Sequence, residues 1–428
     1  MTTSSQIDQP LTVNMDRVRA FVASSPQVPV SGFLLPDTAL RTVTALQGLL
    51  ARKTLKDLLK TVHARSAAAT DSADRLRMQI AVNALLDVEP DKLEQILTRP
   101  ELIAWIAVAK ASDAPTVDHK GADPLAHRLL FVLAPEVLAA RLDTVPPPIR
   151  IQADTDGRLA VPRMGLLCTH VSDTGWWELS FSGNDLVVSD GTTPIIMDAQ
   201  SDHVVPLQRI ADGPFVVPRA SAWLDAFGAD SAALTPASEI EVGQFVDYFT
   251  EGAELLASHW PPAWAETAAV IEQLVPVRSQ GLTPYNFSVH AFRGLIASTP
   301  RPGPMAAQIL VHETGHNLMS TIIDLLPLCT NPDTRVISPV VNQERALPAV
   351  FHGCFSFGRE VHLTQLLLEA GVEPVATTDM DKYLKDRTDT VREALNVLTD
   401  TADLLPAGTA IVEEVARVLA KVEGSSAL

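Results

Sequence analysis

Residues 307–326 read A-Q-I-L-V-H-E-T-G-H-N-L-M-S-T-I-I-D-L-L, and they decide how the rest of the chain is read. His312 and His316 stand four apart, so on an α-helix both imidazoles leave one face about one turn apart, where a single metal ion can bridge them. Glu313 lies beside that face, where a carboxylate either activates metal-bound water or orients a ligand. The flanking residues are apolar, I-L-V before and L-M after, which predicts a buried helix rather than a solvated one carrying two incidental histidines. The P-R-P-G-P turn at residues 300–304 predicts the helix start near Met305.

Two histidines leave a metal site incomplete, because catalytic centres of this kind use a third protein ligand and keep positions open. His352, in A-V-F-H-G-C-F-S-F, is the first candidate, with Glu344 and Glu360 as carboxylate alternatives. The extended zinc-protease pattern would need a histidine at position 322, where the chain has Ile322. His362 follows His352 by ten residues, roughly 15 Å along a continuous helix, and is too far to share the ion. Cys354 reads as core packing.

Outward from the motif, apolar spacing predicts helices over residues 347–370, 382–404 and 410–422. Residues 285–298, Y-N-F-S-V-H-A-F-R-G-L-I-A-S, read as one or two strands carrying His290 and Arg293. Helical spacing also covers W-L-D-A-F-G and residues 240–274. Between the P-P-P run at 146–148 and Pro218 the pattern shortens to alternating stretches, I-R-I-Q-A, W-W-E-L-S-F, D-L-V-V-S and P-I-I-M, set apart by turn sequences. His170 and His203 lie there without a companion at ligand spacing. Residues 34–142 are helical again, with Trp105 on an apolar face as a core residue. The expected fold is α+β and mostly helical: a helical region over 1–147, a strand-rich segment over 148–218, and a metal-binding catalytic region over 219–428.

The whole chain bounds the partners. Its 428 residues carry a net charge of -18, which disfavours a nucleic-acid backbone or an anionic membrane surface. Three cysteines, Cys168, Cys329 and Cys354, form neither a disulfide framework nor a zinc knuckle. With no basic leader and no long apolar run, the expectation is a cytoplasmic protein in a reducing compartment.

From His290 to Phe357 the order L-V-H-E-x-x-H, D-L-L-P-L, S-P and R-x-L-P-x-V-F-H-G-x-F-S-F resembles the HExxH-type 2-oxoglutarate-dependent peptide β-hydroxylases associated with ribosomally made, modified peptides. Arg345 stands seven residues before His352, and Ser338 with Pro339 fills the preceding S-P position. Where the family has proline after the arginine and tryptophan after S-P, this chain has Ala346 and Val340. The resemblance implies Fe(II) held by His312, His316 and His352, with 2-oxoglutarate chelating it through its keto-acid end. It also implies that Arg345 grips the distal carboxylate in a bidentate pair, with Arg293 as the alternative clamp. His290 matches a site-lining position, and Glu313 becomes an orienting group rather than a base.

The leading expectation is thus an Fe(II)/2-oxoglutarate oxygenase of natural-product biosynthesis, hydroxylating an unactivated carbon, the β-carbon of a residue in a peptide or carrier-bound substrate. The alternative is a zinc metallopeptidase in which Glu313 is the general base. A third is a non-catalytic module that binds a leader peptide or carrier protein and keeps the metal for structure.

Overall fold

A computed structural model describes residues 13–29, 31–112, 123–140, 145–153, 157–167, 172, 174–183, 185–192, 194–197, 202–217, 237–278, 286–372 and 380–425. The fold is mostly helical α+β, with 59% of the described residues in helices and 15% in strands. The predicted segment W-L-D-A-F-G lies outside the described residues, as do His170 and Cys168. Among the described residues no helix is long and apolar enough to cross a membrane.

The chain divides into two compact units, and the division does not follow sequence order. One comprises residues 1–25, 51–208 and 219–231; the other comprises 26–50, 209–218 and 232–428. The chain does pass from one unit to the other after Pro218, whereas a boundary at 147 falls inside one compact unit. The reason is burial: Trp105 and Leu129 from the helical region share one core with Ile149, Trp177 and Val188 from the strand-rich region.

In the first unit, helices Ser72–Leu86, Pro90–Leu97, Pro100–Ala111 and Pro124–Val132 begin at or just before a proline or behind an aspartate cap, where the missing backbone donors cost nothing. Trp105 is fully buried, and its indole Nε1 donates to Leu125 O at 2.8 Å. Strands Ile149–Gln152, Trp176–Ser182, Asp185–Ser189 and Pro194–Met197 form an antiparallel sheet in that order. Trp177, Leu179 and Phe181 point inward and their neighbours outward, which is the alternation that the sequence displays.

In the second unit, Gln273–Pro276 pairs in parallel with Leu295–Ser298, which pairs antiparallel with Asn286–Phe287. The predicted strand region of 285–298 is therefore two strands, broken by a 3-10 turn at His290–Phe292. Two long helices carry the metal-ligand candidates: Gly303–Leu325, the motif helix, and Leu347–Glu369, the His352 helix. Helices Met380–Thr401 and Pro406–Ser425 complete the C-terminal bundle. The hairpin Arg335–Ser338 with Gln343–Ala346 precedes the His352 helix, so Arg345 sits on a strand and not at the helix start.

Glycine sets how closely the motif helix is approached. A Cβ at Gly252, on helix Glu239–His259, would stand 2.8 Å from both Ala306 Cβ and Ala307 N. A Cβ at Gly315 would stand 3.0 Å from Ser356 Oγ and 3.2 Å from its Cα. Replacing both glycines of helix Glu239–His259 in turn separates packing from propensity. Gly243→Ala meets nothing within 4 Å and should stabilise the protein by about 0.5–1 kcal/mol through helix propensity. Gly252→Ala should destabilise it by about 1–2 kcal/mol, since overpacking outweighs that gain. Urea midpoints of the two variants check the opposite signs.

Candidate metal centre

The motif helix and the His352 helix pack side by side, and the histidines meet along their shared face. His312 Nε2 and His316 Nε2 lie 3.0 Å apart, with rings edge to face at 78°. Two imidazoles that bind one ion at about 2.1 Å have nitrogens about 3 Å apart, so this spacing is that of a ligand pair. His352 Nδ1 lies 3.3 Å from His316 Nδ1, on the other side of that ring. His312 and His352 therefore face different nitrogens of His316, and among the described residues no three His, Cys, Asp or Glu side chains form a finished ligand group. The donors fit a metal as a pair of imidazoles in place with a third beside them.

Electrostatics prepares these rings as ligands. Burial, with the charge of His312, holds the His316 pKa down at about 4. Burial, with His316 and His290 nearby, holds that of His352 at about 3. Both are neutral at pH 7, the form that binds metal. His312 differs: burial pulls its pKa down, but the Glu360 carboxylate, 2.9 Å from Nδ1, and Glu313 more than offset this and raise it. An ionised Glu360 fixes the hydrogen on Nδ1 and leaves the Nε2 lone pair facing His316.

The three glutamates thus part company. Glu360 holds the outer nitrogen of His312. Glu344 is exposed on the hairpin and pairs with Arg335 at 3.0 Å. Glu313 is buried and accepts from Asn286 Nδ2 at 2.5 Å and from Ser288 Oγ at 2.7 Å, one bond on each carboxylate oxygen. It ties the segment after strand Asn286–Phe287 to the motif helix. A cavity of about 380 Å³ opens above, lined by Asn286, Phe287, Ser288, His290, His312, Glu313, His316, Ser320 and His352.

His290 stands on this wall, half exposed, on the 3-10 turn and not in a strand; its Nε2 is 3.3 Å from Asp324 Oδ1. The two arginines expected as anion clamps are elsewhere engaged. Arg293 is buried, donates to Asp324 Oδ2 at 2.7 Å and to Ser320 O, and does not line the cavity. Arg345 is exposed on the hairpin, donates to Gln343 Oε1 at 3.0 Å, and also lies outside the cavity lining. His362 packs edge-on against Trp260, 4.7 Å between ring centroids, and takes no part. Cys354 is a buried core thiol whose pKa burial pushes up to about 12. Sequence reasoning missed Asn286, Ser288 and Asp324, whose roles depend on a fold-level approach that spacing does not encode.

No protein-family model matches the chain, and no curated protein is similar to it in sequence.

Two outcomes follow from this geometry. Glu360→Gln removes the charge that orients His312 and should weaken divalent-metal binding about 10–100-fold with the fold intact, read by competition against a chromogenic chelator. The depressed pKa values of His316 and His352 mean that the unfolded chain takes up protons first as pH falls. Their contribution to stability is complete above about pH 6.5, the ordinary histidine value, and is lost as pH falls towards 4. Melting temperatures of the metal-free protein should fall through this window, and His352→Phe should flatten the decline.

Proposed function

We propose that the chain is a non-haem Fe(II) and 2-oxoglutarate-dependent oxygenase that hydroxylates an unactivated carbon, the β-carbon of a residue in a peptide or carrier-bound substrate, in a cytoplasmic setting. The observation that carries this reading is the state of Glu313. Both of its oxygens accept hydrogen bonds, from Asn286 and Ser288, so it is built to hold the cavity wall rather than to collect a proton from water.

His312 and His316 would hold the ion, and His352, turned about its side-chain torsions, would supply the third imidazole. That set leaves open positions for a chelating cosubstrate and dioxygen, and imidazole suits Fe(II). When bound, the iron with 2-oxoglutarate supplies the oxidising chemistry: substrate C–H, O2 and 2-oxoglutarate give C–OH, succinate and CO2. Glu360 keeps the His312 lone pair aimed at the ion, and Glu313 fixes the wall that excludes water on the strand side. The cavity volume suits a small dicarboxylate with one substrate side chain. The resemblance of the 290–357 segment to peptide β-hydroxylases supports a peptide substrate.

A zinc hydrolase is the second reading, and one observation favours it. The His290–Asp324 pair on the cavity wall is an imidazole oriented by a carboxylate, able to polarise a carbonyl. Burial opposes ionisation of Asp324, but His290 and Arg293 hold its carboxyl well below the usual carboxylate range.

Glu313→Gln separates the two. With Fe(II), 2-oxoglutarate and O2, the oxygenase account expects the variant to keep its metal and to retain succinate formation within about tenfold, because Gln can still accept from Ser288. Complete loss of turnover with metal retained, together with zinc-dependent peptide cleavage by the unaltered protein, supports the hydrolase and sinks the oxygenase.

A further inference from the structure

Every fourth residue of the motif helix falls on one stripe: His312, His316, Ser320 and Asp324. The first two are the metal-ligand candidates. Ser320 lies one turn beyond His316, about 6 Å further along the helix axis, and lines the same cavity. It is 4% exposed; Arg293 donates to its carbonyl, and among the described residues nothing bonds to its Oγ. A buried hydroxyl without a partner is a group kept for a ligand.

Asp324 ends the stripe. A carboxylate in the last turn of a helix opposes the helix dipole, so its partners must hold it there. Arg293 Nη2 donates to Oδ2 at 2.7 Å, and His290 Nε2 lies 3.3 Å from Oδ1. Burial opposes ionisation, but His290 and Arg293 hold the carboxyl well below the usual carboxylate range, so an anion accepts from His290. In the neutral imidazole the hydrogen then sits on Nε2, and Nδ1 is a bare lone pair. His290 stands half exposed on the cavity wall, and among the described residues nothing bonds to that Nδ1.

One donor, Ser320 Oγ–H, and one acceptor, His290 Nδ1, thus line one cavity unused. Together they match a ligand group that carries an acceptor and a donor side by side. A trans backbone amide points its C=O and N–H in opposite directions, whereas a primary carboxamide sets them on the same edge. A carboxylate fits worse, because its second oxygen would face the Nδ1 lone pair.

We propose that Ser320 and His290 form a subsite that reads the side-chain carboxamide of a glutamine or asparagine in the peptide substrate, Ser320 donating to its C=O and His290 accepting from its NH2. Asp324 is a positioning residue that sets the tautomer of His290. The proposal deepens the oxygenase reading by naming a feature of its peptide substrate, and it rests on that reading.

The test uses N-acetylglutamine methylamide and its glutamate counterpart, near-isosteres that exchange NH2 for an anionic oxygen. Ligand-observed NMR with the Mn(II)-loaded protein reads affinity and, through paramagnetic broadening, closeness to the ion. The glutamine probe should bind about tenfold tighter than the glutamate probe and should be broadened, and Ser320→Ala should weaken it about tenfold. Asp324→Asn should invert the preference: Arg293 can only donate and takes the Asn Oδ1, so the Asn NH2 faces His290 Nε2 and drives the imidazole hydrogen to Nδ1. A merely structural Asp324 would not exchange one preference for the other. Ser320→Ala removes an unbonded hydroxyl from a helix and decides the matter if Asp324→Asn fails to melt cooperatively. Equal affinity for the two probes, binding of neither, undiminished binding in Ser320→Ala, or binding without broadening overturns the subsite and leaves the oxygenase reading standing. Glutamine binding with the expected variant pattern in a protein that takes up no Mn(II) upholds the subsite and removes the oxygenase reading.

Discussion

The close approach of the motif helix to the His352 helix is the constraint on which the site depends. Gly315, between Glu313 and His316, has no Cβ to hold Ser356 away, so the backbones approach and their histidines share one face. Gly252 plays the same part on another side of the motif helix, where helix Glu239–His259 meets Ala306 and Ala307. Squeezed from two directions, the motif helix has little freedom to turn, which keeps His312 and His316 in a fixed pair.

Around this pair the polar groups form two supports. On one side Glu360, from the His352 helix, fixes the tautomer of His312. On the other, Glu313 reaches back to Asn286 and Ser288 and pins the wall. Asn317 adds to this second support, accepting from Gly294 N and donating to Glu313 O, so the sheet and the motif helix keep their register even where the chain turns at His290. The carboxylate of a His-Glu-x-x-His motif is commonly read as a base; here each of its oxygens accepts a hydrogen bond from the segment before the motif helix.

The helical half of this picture was legible because it rests on local periodicity. The motif helix, the His352 helix and the two after it lie within a few residues of their predicted ranges, since apolar spacing, proline starts and turn sequences are all local signals. The alternating strands around Trp177 and Val188 were legible for the same reason. The partners of charged groups were not. Arg293 is committed to Asp324, 31 residues away, and Arg345 points to solvent from a hairpin strand, facts set by tertiary placement. The compact units escaped detection because the helical and strand-rich segments bury a common core, and the composition shift at residues 146–148 marks a change of element rather than of body.

The most direct test of the account is a crystal structure of the protein grown with Mn(II), with the ion located by its anomalous signal. The account expects one ion bonded to the Nε2 atoms of His312 and His316 and to an imidazole nitrogen of His352, at about 2.0–2.2 Å, with Glu313 still bonded to Asn286 and Ser288 and no protein carboxylate on the metal. An ion ligated by Glu360 or Glu344, a Glu313 released towards metal-bound water, or no ion between the two motif histidines would contradict it.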